Sequence, residues 1–244
     1  MSAKPGAILM CGRFTLTNPK GLAACESWIA PLEPDLEPLL IPRYNIAPGQ
    51  RVLILRKNGT ARWTGATWGF KLTEGAAPQP HILINARMET VSSRRTFAQS
   101  FEHGRCIIPA DGFYEWPKEP HKLRRGPRDK MPQWFALAEQ QIFGLAGLFR
   151  RGSHADDDSA ECVVLTRPAD DVVGAIHDRM PVIIPREQWQ AYLTASKAAA
   201  TDLLETPTTA KLCSKPVSQR INSVKNDDPA CLLDRGEFPP QMLF

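Results

Sequence analysis

The sequence predicts a single α+β domain built on a mainly antiparallel, curled, barrel-like sheet with flanking helices. Strand-like apolar runs outnumber helical patterns along the 244 residues. They are interleaved irregularly with helices, without the regular alternation that builds a doubly wound parallel sheet. Two adjacent β-type runs, VLILRK and ARWTGATWGF, meet at Asn58-Gly59, the strongest short-range hairpin signal. A hydrophobic content of 43% over this length suffices for one substantial core.

In chain order, residues 1–10 read as an N-terminal extension and residues 11–244 as the folded domain. GLAACESWI at 21–29 predicts a short helix, and the proline-rich stretch 31–50 an ordered loop. After the hairpin comes a polar loop, TEGAAPQP at 73–80, and then HILINARMETV. RRTFAQSFEHG at 94–104 places Phe97 and Phe101 four apart, the spacing of an amphipathic helix. RCIIPADGFYEW, QWFALA, IFGLAGLFR and ECVVLTRPA read as strands. PREQWQAYL starts on a proline, as helices do, and sets Trp189 and Leu193 four apart. KPVSQRINSV reads as a last strand, and the acidic run ADDDSAE at 155–161 as a solvated turn.

Composition excludes several classes. No run approaches the roughly 18–20 apolar residues of a membrane-spanning helix. AILM, ahead of Cys11, falls short of the roughly 7–15 apolar residues of a secretory signal, and Met10 is too large for the position before a lipoprotein cysteine. Six cysteines, at 11, 25, 106, 162, 213 and 231, include no C-x-x-C pair and no zinc spacing with histidine, so neither a metal nor a cofactor is expected. Without disulfide-like clustering, a reducing cytoplasm is the expected compartment, and most of the cysteines are expected to be small buried hydrophobes. The net charge of +4 equals the surplus of one stretch, PKEPHKLRRGPRDKMP at 117–132, with six Lys/Arg against two acids. This stretch reads equally as a solvated, proline-broken loop and as a phosphate-contacting flap.

Four segments, MCGRF, INARMET, ADGFYEW and IHDRMP, combine reactive or polar side chains with strand-like surroundings. Cys11, near a terminus and beside glycine, is poorly placed for core packing and is the candidate nucleophile. Were Met10 removed, Cys11 would carry an α-amine with a pKa of about 7.7–8.0 against about 10.4 for lysine, partly neutral near pH 7 and able to attack an aldehyde. The thiol of the same residue could then close a five-membered thiazolidine on the Schiff base, chemistry open only to a 1,2-aminothiol. Asn85 could orient an oxyanion or a hydroxyl, and Arg87 could pair with Glu89 or with a phosphate. Glu115, between Tyr114 and Trp116, reads either as a surface glutamate on an exposed strand or as a carboxyl whose aromatic setting raises its pKa into the range of a general acid. A lone histidine is more often structural than catalytic, but His177, alone of the five histidines, stands in a dense polar cluster.

MCGRF, RYNIAPGQ, WGF, INARMET, IPADGFYEW, LTRPA, IHDRMPVII and INSVKND, in this order over residues 10–227, strongly resemble the blocks of the SOS-response-associated peptidase (SRAP) family, the abasic-site-processing proteins of bacteria and animals. The resemblance implies a mature protein that begins with cysteine and forms a thiazolidine with the ring-opened aldehyde of an abasic site in single-stranded DNA. Carried over position by position, Cys11 is the cross-linking residue, Asn85 and His177 position and activate the sugar, Glu115 is acid and base, and His177 also assists reversal. Arg13, Arg87, Arg95 and Arg179 match phosphate-contacting arginines, while Pro48, Trp116 and Thr166 match residues lining the DNA channel. The protein is expected to be a cytoplasmic monomer, nucleoid-associated when bound to DNA, with no membrane partner. One departure is the loop 73–80, which lacks the tryptophan the family often carries there, so the grip on DNA is expected to differ.

The other departure is the extension. While it is attached, the nitrogen of Cys11 is a non-nucleophilic amide. Translation starting at Met10 with methionine removal, the favoured explanation, or cleavage of the Met10-Cys11 bond by the Cys11 thiol with Glu115 and His177, would each free it. The third alternative is that the extension persists and the protein is inactive. Two other functional classes are a thiol protease acting on protein substrates and a non-covalent reader of modified DNA bases.

Overall fold

A ring of paired strands forms the centre of the molecule in the computed structural model, which describes residues 11–22, 26–72, 81–117, 131–139, 141–151, 160–206 and 211–234. The strands are β1 (Phe14–Leu16), β2 (Arg43–Ile46), β3 (Arg51–Asn58), β4 (Thr60–Trp68), β5 (Phe70–Leu72), β6 (His81–Leu83), β7 (Asn85–Arg87), β8 (Arg105–Ala110), β9 (Gly112–Glu115), β10 (Gln133–Leu137), β11 (Phe143–Arg150), β12 (Glu161–Pro168), β13 (Arg179–Pro181), β14 (Ile183–Ile184) and β15 (Leu212–Pro216). The α-helices are α1 (Arg95–His103), α2 (Asp171–Gly174), α3 (Trp189–Thr194) and α4 (Lys197–Glu205).

Strands β12, β4, β3, β8 and β11 pair in turn, and β11 pairs again with β12, which closes the ring. Among the pairings of described strands, only β12–β4 and β12–β7 are parallel. Strand β12 is the hinge of this arrangement: β4 meets its first residues, β7 meets Val164–Thr166, and β13 meets Thr166–Pro168 on the other edge. The α+β class and the curled, mostly antiparallel sheet expected from the sequence are both present. A second sheet runs β15-β10-β9-β1-β2.

Hairpin β3–β4 turns as expected, in register from Arg51↔Thr67 to Asn58↔Thr60, with Gly59 at φ +76°. Helix α1 buries Phe97 and Phe101 and packs on β8 and β11, while α3 buries Trp189, Tyr192 and Leu193 against β8. Strand β8 is therefore buried along its whole length. Arg105 fastens both helices: Nη1 donates to Phe101 O at 2.7 Å, Nε to Tyr192 O at 2.9 Å, and Nη2 to Ala195 O. A cation there complements the unpaired carbonyls and negative ends of two helices.

The second sheet separates two cores because successive residues of a strand point to opposite faces. Phe14, Phe113 and Phe135 join the main core, with Phe113 and Phe135 stacked at 5.2 Å, whereas Tyr114 and Trp134 face a smaller cluster with Val217, Ile221 and Cys231.

Three expectations need correction. The stretch 31–50, expected as a loop, holds a 3₁₀ turn at Pro34–Leu39 and strand β2. The flanks of the helix expected at 21–29 are a 3₁₀ turn at Pro19–Leu22 and, at Ile29, an isolated bridge to Ala61. The last strand stops at Pro216, and Ser218 caps a 3₁₀ turn at Gln219–Asn222. Helix α4, capped by the Ser196 hydroxyl on Ala199 N, was not anticipated. The loop 73–80, most of the basic stretch 117–132 and of the acidic run 155–161, and the extension 1–10 lie outside the described residues.

Candidate active site

Where β1 and β9 run side by side, the start of the folded chain is brought against the end of β9. Phe14 pairs with Phe113 and Thr15 with Gly112, and Tyr114 N donates to Arg13 O. Asp111 fixes this register: its carboxylate accepts from the Thr15 and Thr17 hydroxyls at 2.6 and 2.7 Å and from the Thr17 and Asn18 amides. Gly112 is required beside it, since a Cβ there would lie 2.1 Å from Trp134 Nε1.

This register sets Cys11 on Glu115. Cys11 N donates to Glu115 Oε1 at 2.8 Å, and the Cys11 thiol also hydrogen-bonds to the Glu115 side chain. Both residues are buried, at 4% and 1% exposure. The expectation that Cys11 would pack poorly is therefore overturned: the β1–β9 pairing covers it. Burial pushes the Cys11 thiol well above its usual range; Glu115 pushes the same way by charge and hydrogen bond, Arg179 opposes, and Asp178 adds a smaller upward push. The sulfur thus stays protonated until a base removes its proton. The aromatic setting expected for Glu115 is not the one found, because Tyr114 points to the opposite face, where its hydroxyl donates to Tyr44 O at 2.7 Å.

The barrel supplies the other wall. Arg179 is buried at the start of β13, with Nη2 donating to Thr166 O at 2.7 Å and to Glu89 Oε2 at 3.0 Å, while Nη1 donates to Glu89 Oε1. The hydrogen bond from Arg179 holds the Glu89 carboxyl below its usual range. Among the described residues, Arg179 Nε has no hydrogen-bond partner. His177 is also buried; its Nδ1 lies 3.1 Å from Arg179 N, which donates to it, and 3.2 Å from Asp178 Oδ1. On β7, Asn85 is in register with Val164 and Arg87 with Thr166, so Asn85, Arg87 and Thr166 belong to one stretch of neighbouring strands. Arg87 is exposed, and Glu89, the partner considered for it, pairs with Arg179 instead.

The remaining residues lie further out. Arg13 Nη1 donates to Asn45 Oδ1 at 2.8 Å and to Ile221 O, and its guanidinium lies 5.9 Å from the Trp116 ring. Trp116 Nε1 donates to Asn222 Oδ1 at 2.8 Å. Pro48 and Gly49, the latter at φ +83°, form the turn after β2, closed by Gln50 N on Ala47 O. Arg95 opens α1 at an exposed position, and among the described residues no hydrogen bond joins it or Pro48 to the Cys11 cluster. Sequence reasoning missed Asp178 and Glu89 as site residues, and it missed Asn45 and Asp227, which lie within two of the quoted blocks. Among the described residues, no group of three His, Cys, Asp or Glu could hold a metal ion, and no helix is long and apolar enough to cross a membrane.

The family model for SOS response associated peptidase (SRAP) matches residues 10–224, which include Cys11, Asn85, Glu115, His177 and Arg179. The chain belongs to the SRAP family. It is 32% identical over 227 residues to the abasic site processing protein YoqW of Bacillus subtilis, covering 90% of this chain and 97% of that protein. It is likewise 32% identical over 228 residues to the abasic site processing protein YedK of Escherichia coli, covering 89% and 96%. Among solved structures, a phage-related protein from Bordetella bronchiseptica superposes with a TM-score of 0.64 at 28% identity, covering 86% of this chain and 95% of that one. A protein from Bacteroides thetaiotaomicron shares the fold at a TM-score of 0.70 and 19% identity, covering 91% and 98%.

Proposed function

We propose that this SRAP protein processes abasic sites in single-stranded DNA by attaching itself covalently through Cys11, once the residues ahead of Cys11 are gone. The observation that carries the reading is the convergence of the Cys11 nitrogen and thiol on one buried carboxylate, Glu115. The names of the relatives, abasic site processing proteins, supply the substrate class.

The chemistry follows from that geometry. The free α-amine attacks the aldehyde carbon of the ring-opened sugar, and loss of one water leaves a Schiff base. Cys11 Sγ then adds to the same carbon, its proton passes by way of Glu115 to the nitrogen, and the thiazolidine closes. Because the thiol is held protonated, the amine reacts first and the sulfur follows when Glu115 takes its proton. Arg179 N donates to His177 Nδ1, so in the neutral ring the hydrogen sits on Nε2, from where it would donate a hydrogen bond to a sugar oxygen and hold it in place. Asn85, two register steps from Thr166, would orient the sugar. Arg13 and Arg179 already bond within the protein, so exposed Arg87 and Arg95 would carry the salt-sensitive phosphate contacts, with Pro48 and Trp116 along the strand.

The same groups account for removal of the residues ahead of Cys11. Cys11 has φ +48°, a left-handed conformation that costs a side-chain-bearing residue roughly 1–2 kcal/mol, and this dihedral ceases to exist when the Met10-Cys11 bond is cut. Attack of Sγ on the Met10 carbonyl gives a thioester and releases the nitrogen, to which Glu115 delivers the thiol proton; water then hydrolyses the thioester. Glu115 Oε1 already accepts from that nitrogen.

Protein beginning at Cys11, mixed with abasic single-stranded DNA, should give an adduct that survives denaturation, and unmodified DNA should give none. A complex that dissociates on denaturation would leave only reversible binding. Intact mass of the purified full-length chain tests the cleavage: wild type should lose residues 1–10, and Cys11→Ala should keep them.

A further inference from the structure

The two ends of the described chain are tied to one side-chain amide. Asn45, on β2, is fully buried, and each end of its amide holds a different part of the molecule. Its Oδ1 accepts from Arg13 Nη1 at 2.8 Å, two residues from Cys11. Its Nδ2 faces three carbonyls of the C-terminal segment: Ile221 at 3.2 Å, Ser223 at 3.0 Å and Asn226 at 2.7 Å. Asp227 completes the clasp, with Oδ1 accepting from Tyr44 N and Asn45 N and Oδ2 from Arg43 Nε. Arg13 also donates to Ile221 O, so arginine and asparagine share one acceptor.

We infer that Asn45 is a positioning residue for Cys11, acting through Arg13. Beyond Phe14, the backbone bond from Tyr114 N to Arg13 O ties the N-terminal residues to β9, and the Cys11–Glu115 contacts follow it. A fixed guanidinium at Arg13 limits the freedom of the segment that must present both reacting atoms to Glu115. The C-terminal segment is thereby part of the device that aims the N-terminal residue. The inference rests on the adduct-forming reading, but it makes a separate statement about the Cys11 thiol that needs no DNA.

The test is a double-mutant cycle with Asn45→Ala, Arg13→Ala and both, with two readouts. The first is adduct formation at saturating abasic single-stranded DNA, which should fall about tenfold in Asn45→Ala, with no further loss when Asn45→Ala is added to Arg13→Ala. The second is site-resolved iodoacetamide labelling by mass spectrometry. Released from Glu115, Cys11 should label several-fold faster, while Cys106 and Cys162, buried in the barrel away from the C-terminal segment, remain protected and exposed Cys213 serves as the reference. The inference is overturned by independent, multiplying losses in the cycle, or by faster labelling of all the buried cysteines together, which marks a general loosening of the fold. If Asn45→Ala does not fold, Asn45→Ser enters the same cycle. Should wild type form no adduct, the functional reading fails, and the labelling cycle alone decides the role of Asn45.

Discussion

Thiols are buried in two different surroundings in this molecule. Cys106 and Cys162 lie wholly inside the barrel, on β8 and β12, and burial is the largest cause raising both; the lesser influences are Cys162 and Arg56 on the first and Glu161 on the second. Cys11 is raised as well, but it lies where the two sheets meet, hydrogen-bonded to a carboxylate and near a guanidinium. Burial alone makes a sulfur inert. On the proposed reading, the hydrogen-bonded Glu115 carboxylate gives the Cys11 proton somewhere to go.

The largest expected effect is therefore on Glu115. Glu115→Gln keeps a hydrogen-bonding group but removes the base, and adduct formation should slow by about 10²–10⁴-fold, with affinity for unmodified single-stranded DNA unchanged; timed quenching on denaturing gels measures it. In the barrel, Cys162→Ala should lower stability by about 1 kcal/mol in urea unfolding and leave the adduct rate alone. A comparable loss of rate there would erase the distinction between the two surroundings.

Arg179 gives a finer test. Its charge lowers the Cys11 thiol pKa, so Arg179→Met should move the pH profile of Cys11 alkylation to higher pH while leaving that of Cys106 in place. A shift to lower pH would mean that Arg179 does not act on the thiol. The smallest effect concerns alkaline stability. The folded thiols of Cys106 and Cys162 have raised pKa values, so their contribution is fully present below the unfolded value of about 8.5 and declines as pH rises above it. Replacing both by alanine should flatten the fall in stability between about pH 8.5 and 10.

Local features of the fold were legible in the sequence. Asn58-Gly59 specifies its hairpin through backbone preference, and Phe97 and Phe101 specify α1 through spacing, both independent of distant partners. Around 21–29, a tertiary contact, Ile29 to Ala61, overrode local propensity. Helix α4 carries a local signal of its own, a serine cap before an alanine run. In the candidate site, Cys11, Glu115 and His177 stand out singly in the sequence as candidates, but their geometry does not. Cys11 and Glu115 are 104 residues apart, and only the β1–β9 register brings them together. The surroundings of Glu115 were misread because sequence neighbours on a strand face away from each other. Glu89 and Asn45 look like ordinary polar residues until β7 and β2 place them against Arg179 and Arg13.

The central claim is that the reacting residue is Cys11 with both its amine and its thiol. The most direct measurement is the intact mass of the adduct formed when the full-length chain is incubated with abasic single-stranded DNA. The account predicts a protein part beginning at Cys11, joined to the oligonucleotide with loss of one water. An adduct whose protein part still carries Met10 would contradict it, because an amide nitrogen cannot form the thiazolidine.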